Sequence, residues 1–79
     1  GGALAYSEYR DRSRAAALLS EGEAALAARD YGPAREKFEA LLAARPDHAR
    51  ARLLAARAAR QQREFRAARE HLSALRAAG

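Results

Sequence analysis

The chain has 79 residues, a formal net charge of +5 and no cysteine. That length allows one domain, whose core nets roughly 3 to 5 kcal/mol at best, and the missing cysteines exclude disulfides as a supplement. No run of about 20 apolar residues is present to span a membrane, so helix packing, self-association or a neighbouring segment must stabilise the fold.

Alanine supplies most of the 49% hydrophobic fraction, and only five aromatics occur. Val, Ile and Thr are absent. Alanine, arginine, leucine and glutamate favour helix, whereas the missing β-branched residues are the ones that favour strands, so the expected fold class is all-α. The charge is uneven: residues 1–48 carry seven basic and eight acidic side chains, and residues 49–79 carry eight and two. Lys37 is the only lysine. Heavy Ala and Arg usage is also what a GC-rich bacterial genome writes regardless of function.

In chain order, residues 1–14 form an extension that continues the first helix, because no breaker separates Ser7 from Ala28 and Glu8 and Arg12 make an i,i+4 pair. Gly1 and Gly2 read as a frayed or appended terminus. Gly1 to Tyr6 reads alternatively as the exit of a removed membrane anchor. Leu18, Leu19, Gly22, Ala25 and Leu26 give the first apolar stripe, over a helix of residues 15–29 that runs back toward Tyr6. Asp30, Gly32 and Pro33 break it. A second helix covers 32–45, with Ala34, Phe38, Leu41 and Leu42 as its stripe and Pro33 in the first turn, where a missing N–H costs nothing. Arg45-Pro46-Asp47 ends that helix, and Asp47 is the expected cap of a third, 48–62. A fourth covers 65–77.

These elements repeat. Arg29-Asp30-Tyr31-Gly32-Pro33-Ala34-Arg35-Glu36 aligns without a gap on Arg63-Glu64-Phe65-Arg66-Ala67-Ala68-Arg69-Glu70, at a period of 34. Phe38 then aligns with Leu72, Leu41 with Leu75, Leu19 with Leu53 and Ala25 with Ala59. A 34-residue helical period is that of the tetratricopeptide repeat.

With Gly22 in the first helix, Tyr31 before the second, then Ala34, Phe38 and Pro46, the chain resembles the tetratricopeptide repeat family over Ala15 to His48. Residues 49–79 look like a divergent or truncated second copy, keeping Phe65 and Ala68 with Ala56 for the glycine and Leu72 for the aromatic. Arg52 stands where the family often has a large apolar residue, and Ala25 and Ala59 replace its tyrosine. The resemblance implies a TPR-like α-solenoid of two helix-turn-helix pairs, with Gly22, Tyr31, Ala34, Phe38, Pro46, Phe65, Ala68 and Leu72 serving repeat packing. It also implies a non-catalytic protein-interaction module that takes a peptide or helix on a concave wall. Leu19, Glu23 and Leu26 would line that wall from the first repeat, and Arg50, Leu53, Arg57 and Arg60 from the second. The arginines suit an acidic peptide as well as they suit a merely solvated face. Leu19 and Glu23 occupy two places of the clamp that a family subset uses for chaperone tails, so that ligand is not expected.

Chemistry has little to build on. His48 and His71 lie in different helices with no metal-ligand spacing, and both read as solvated or capping residues. Glu21 and Glu23 diverge at i,i+2, and no glycine-rich phosphate loop occurs. No enzyme activity, cofactor or metal is expected. Arg57, Arg60, Arg63, Arg66 and Arg69 permit at most nonspecific nucleic-acid contact, having no stacking aromatics beside them. Repeats of this kind need about three units, so Phe65, Leu72 and Leu75 should face water unless covered. A homodimer, or neighbouring repeats of a longer chain, is the expected cover. Compartment is not legible.

Overall fold

A computed structural model describes the backbone of residues 2–79 and the side chains from Tyr9 onward. Four helices follow one another: α1 (Gly2–Ala27), α2 (Tyr31–Ala44), α3 (Ala49–Gln61) and α4 (Phe65–Ala78), with no strand among the described residues. The expected all-α, TPR-like arrangement of helical pairs is what is found. α1 runs unbroken through the extension, further back than Tyr6. The Glu8 side chain and Gly1 lie outside the described residues, and with them the Glu8–Arg12 pair.

α1 packs on α2, α2 on α3 and α3 on α4, with a narrower contact between α1 and α3. The result is a slab only 14 Å deep across its thinnest direction. Small residues make this possible, because alanine at a seam lets two helix axes approach toward the 8 Å end of the usual range, about 8–10 Å. Phe38 and Leu41 are fully buried, and around them lie Leu18, Ala34, Leu42, Ala51, Leu54, Ala55 and Ala58 in one core that joins α1, α2 and α3. Ala56 and Ala59 of α3 and Ala68 of α4 are buried as well. Gly22 is the tightest point: a Cβ there would sit 2.5 Å from Phe38 Cε1. The residue is glycine because the Phe38 ring occupies that space.

The 34-residue period reappears in the backbone. Arg29 and Arg63 both adopt the left-handed conformation at φ 63°. Behind Arg29, Asp30 N–H bonds Ala25 O at 2.8 Å and Arg29 N–H bonds Leu26 O at 3.0 Å; behind Arg63, Glu64 N–H bonds Ala59 O at 2.8 Å and Arg63 N–H bonds Arg60 O at 3.0 Å. Each is a Schellman closure, which satisfies helix-end carbonyls and reverses the chain. Arginine rather than glycine holds the left-handed place in both turns, and α1 and α3 end at Ala27 and Gln61, short of the expected 29 and 62.

Two expectations need correction. The cap of α3 is His48, whose Nδ1 accepts the Ala51 N–H at 3.1 Å, and not Asp47. His71 is not solvated: its side chain is 12% exposed and its Nε2 lies 3.1 Å from Glu39 Oε2. Arg52 donates to His71 Nδ1 at 3.3 Å and to the Pro46 carbonyl at 2.7 Å. Because arginine only donates, Nδ1 accepts, and Nε2 therefore carries the proton given to Glu39. Arg35 completes the stitch, donating to Glu39 Oε2 at 3.0 Å and to Gln62 at 3.2 Å. Burial by itself would raise the Glu39 carboxyl, but hydrogen bonds and charge from Arg35 and His71 outweigh it and hold the group below its ordinary value. Arg52 thus replaces the family's apolar residue with a polar link between the two repeats.

Candidate functional site

Successive steps of four and three along α1 place Leu19, Glu23 and Leu26 on one stripe, and Arg50, Leu53, Arg57 and Arg60 form the matching stripe on α3. The two stripes border the line where α1 meets α3. Leu19, Glu23, Leu26 and Leu53 are half-buried, and Arg50, Arg57 and Arg60 are exposed. Glu23 Oε2 accepts from Arg50 NH2 at 2.9 Å, so one acidic and one basic wall residue neutralise each other across the furrow. Glu21 diverges as its spacing demands and instead meets Lys37 of α2 at 3.3 Å.

At one end the furrow opens into a hollow of about 490 Å³ lined by Leu26, Tyr31, Arg57, Arg60 and Gln61. The Schellman turn creates it, because reversing the chain after Ala27 swings the first residue of α2, Tyr31, beside the last turn of α3. Neither Arg57 nor Arg60 makes an ion pair or a side-chain hydrogen bond among the described residues. Two such guanidinium groups lining one hollow with a tyrosine and a leucine can hold a carboxylate attached to an apolar stem.

Tyr31 and Gln61 escaped the sequence reading as lining residues. Tyr31 was assigned to packing, where it also contributes as a half-buried residue, and Gln61 gave no signal beyond lying next to Arg60 on the same helix end. A second hollow, of about 210 Å³, occupies the opposite end of the furrow and is lined by Arg12, Ala15, Ala16, Arg45 and His48. Arg12 could have been found, since it lies seven residues before Leu19 on the same stripe. Arg45 could not, because only the α2–α3 turn brings it there.

Of the residues expected to serve repeat packing, Gly22, Ala34, Phe38 and Ala68 are buried, Tyr31 is half-buried, and Pro46, Phe65 and Leu72 are exposed. Phe65 is 53% and Leu72 42% exposed because no described helix covers the outer side of α4. The described residues contain no group of three His, Asp or Glu that could hold a metal ion, and no described helix is long and apolar enough to cross a membrane. Arg57, Arg60, Arg63, Arg66 and Arg69 are all exposed, but they divide between α3, a turn and α4 rather than forming one track.

No curated protein and no solved structure matches the chain. The tetratricopeptide repeat family model matches residues 25–79, which takes in the shared turns, α2, α3 and α4 and leaves outside it most of α1. With a 34-residue period written in both sequence and backbone and a family match over most of its length, the chain belongs to the tetratricopeptide repeat family.

Proposed function

We propose that the chain is a non-catalytic interaction module that binds a partner peptide along the α1–α3 furrow, with acidic residues of the peptide meeting Arg57 and Arg60. Repeats of this family are generally protein–protein interaction modules. The observation that carries the finer reading is the hollow that Arg57 and Arg60 line together with Leu26 and Tyr31, neither arginine being paired with a carboxylate among the described residues. Leu19, Glu23, Leu26, Arg50, Leu53, Arg57 and Arg60 are the proposed contact residues. Charge complementarity of this kind sets specificity and association rate more than raw affinity. A peptide library tests it. Acidic sequences should bind better than neutral ones, and Arg57→Glu should remove that preference. Equal binding of acidic and neutral sequences, untouched by Arg57→Glu, refutes the acidic ligand.

A second reading is carried by α4. Phe65, Arg69, Leu72 and Arg76 recur at i, i+4, i+7 and i+11 and so share one face, on which Phe65 and Leu72 are exposed apolar residues. A second copy or a neighbouring repeat of a longer chain would cover it, and the module would then be part of an assembly. Light scattering at rising concentration decides between them. A dimer supports the second copy, and a monomer that melts cooperatively at high concentration argues against it.

A further inference from the structure

The furrow is positive at both ends and neutral in the middle. Steps of four, three, four and three lead from Arg12 through Ala16, Leu19 and Glu23 to Leu26, which keeps all five on one stripe of α1. At the Leu26 end stand Arg57 and Arg60. At the Arg12 end stand Arg12 itself, Arg45 and His48 around their own hollow. Neither Arg12 nor Arg45 is ion-paired or hydrogen-bonded through its side chain among the described residues. His48 adds a donor: Nδ1 is engaged as acceptor from Ala51 N–H, so Nε2 bears the hydrogen. Asp11 and Asp47 do not line this hollow; Asp11 lines an adjoining one that shares Ala15 and Arg45 with it and also holds Arg14, so the cations at this end still outnumber the carboxylate. Between the ends, Glu23 cancels Arg50 and the rest of the wall is Leu19 and Leu53.

We propose that the furrow takes an extended peptide segment with two acidic clusters, one at each end, joined by a short apolar stretch. This rests on the reading of the furrow as the binding face and specifies its ligand. The 14 helical steps from Arg12 to Leu26 span about 21 Å at 1.5 Å per residue. An extended strand covers that distance in about six residues at roughly 3.4 Å each, which fixes the separation of the clusters. An extended ligand suits the site better than a helical one. α1 and α3 touch, the slab is 14 Å deep, and no trough remains for a helix about 10 Å across.

The experiment measures fluorescence anisotropy of labelled peptides on the 79-residue protein at physiological salt. One peptide carries Asp-Glu at both ends of a leucine-containing centre of matched length. Others carry a shorter or longer centre, or an acidic cluster at one end only. The matched two-ended peptide should bind about tenfold tighter than any other, because the second contact forms at high effective concentration once the first is made. Arg12→Gln with Arg45→Gln should bring it down to the one-ended level and leave the best one-ended peptide unchanged, while Arg57→Glu weakens both. Arg12→Glu, at an exposed helical position, repeats the test without altering the end of α2. Affinity that ignores the spacing, or that the Arg12 and Arg45 variants leave unchanged while Arg57→Glu still lowers it, overturns the two-ended ligand and spares the furrow. If no acidic peptide binds at all, the furrow reading itself fails and this inference goes with it.

Discussion

Replacing Gly22 by alanine tests how closely α1 and α2 approach. In an open helix this change is favourable by about 1 kcal/mol, because glycine surrenders more backbone entropy than alanine. Here the added Cβ would lie 2.5 Å from Phe38 Cε1 and 2.9 Å from both Cδ1 and Cζ. Carbon atoms rest near 3.5 Å, so the ring must retreat by about 1 Å. It has nowhere to go, being fully buried among Ala34, Leu41 and Ala55. Overpacking of this kind costs about 1–3 kcal/mol; against a fully buried ring the cost lies in the upper part of that range, and after the helical gain a net loss of roughly 1–2 kcal/mol remains. For a domain of this size that lowers Tm by roughly 4–15 °C. Gly32→Ala is the control, since its Cβ meets only the far end of Gln62 at 3.5 Å, and it should gain about 0.5 kcal/mol. The second repeat supplies the rescue: where the first has Gly22 and Phe38, the second has Ala56 and Leu72. Gly22→Ala with Phe38→Leu should therefore lose less than the sum of the single changes, a coupling that a double-mutant cycle in urea measures. A Gly22→Ala protein that melts at or above the parent would refute the close approach.

Four further outcomes follow from the packing and the charges. Arg63→Gly relieves a left-handed arginine at φ 63°, a conformation that costs an L-residue about 1–2 kcal/mol, and after the entropy that glycine gives back it should still raise the urea midpoint slightly. Arg66→Gly, in the first turn of α4 at the position equivalent to Gly32, should cost about 0.5 kcal/mol and lower the midpoint. The Glu39 carboxyl is held below its ordinary value of 4.5, so the stability it adds is present above that pH and is lost as pH falls through its folded value. The Tm difference between the parent and Glu39→Gln should therefore be present above about pH 5 and close at lower pH, as successive melts would record. Phe38→Ala should cost about 3–5 kcal/mol, comparable to the whole stability of so small a domain, and circular dichroism should find little folded protein at 25 °C.

How much of this was legible depends on the range of the interaction. Helix content and the 34-residue period are written in spacing, and spacing survives without coordinates; that the ring packed on Gly22 is Phe38 came only with the structure. The helix ends were misjudged by one or two residues because Arg29 and Arg63 sit in a conformation that favours glycine, and nothing in an arginine announces it. Asp47 was the better cap by propensity, yet the Arg45-Pro46 turn sets His48 at the cap position and its ring nitrogen does the work. His71 looked like a surface residue because its partners, Glu39 and Arg52, are 32 and 19 residues away. On α1 and α3, helical phase alone places the two stripes proposed as the wall. It could not show that Arg50 is neutralised by Glu23, nor that Arg45 joins Arg12 across a turn.

The division of the arginines into paired and unpaired sets distinguishes the two sides of the slab. Alanine seams leave no interior room for a long side chain, so every arginine must reach the surface. On the side where Glu39 of α2 bonds His71 of α4, Arg35 and Arg52 are used up by Glu39, Gln62, His71 and the Pro46 carbonyl, and their task is to hold one repeat to the next. Along the furrow, Arg12, Arg45, Arg57 and Arg60 have no such partner among the described residues. Unopposed like charges raise the free energy of the folded state, and they would be relieved by any acidic segment laid between them. On the proposed reading, the furrow therefore carries a destabilisation that its ligand removes. A matched acidic peptide should raise Tm by ordinary binding linkage, and added salt should shrink that increment while it stabilises the free protein.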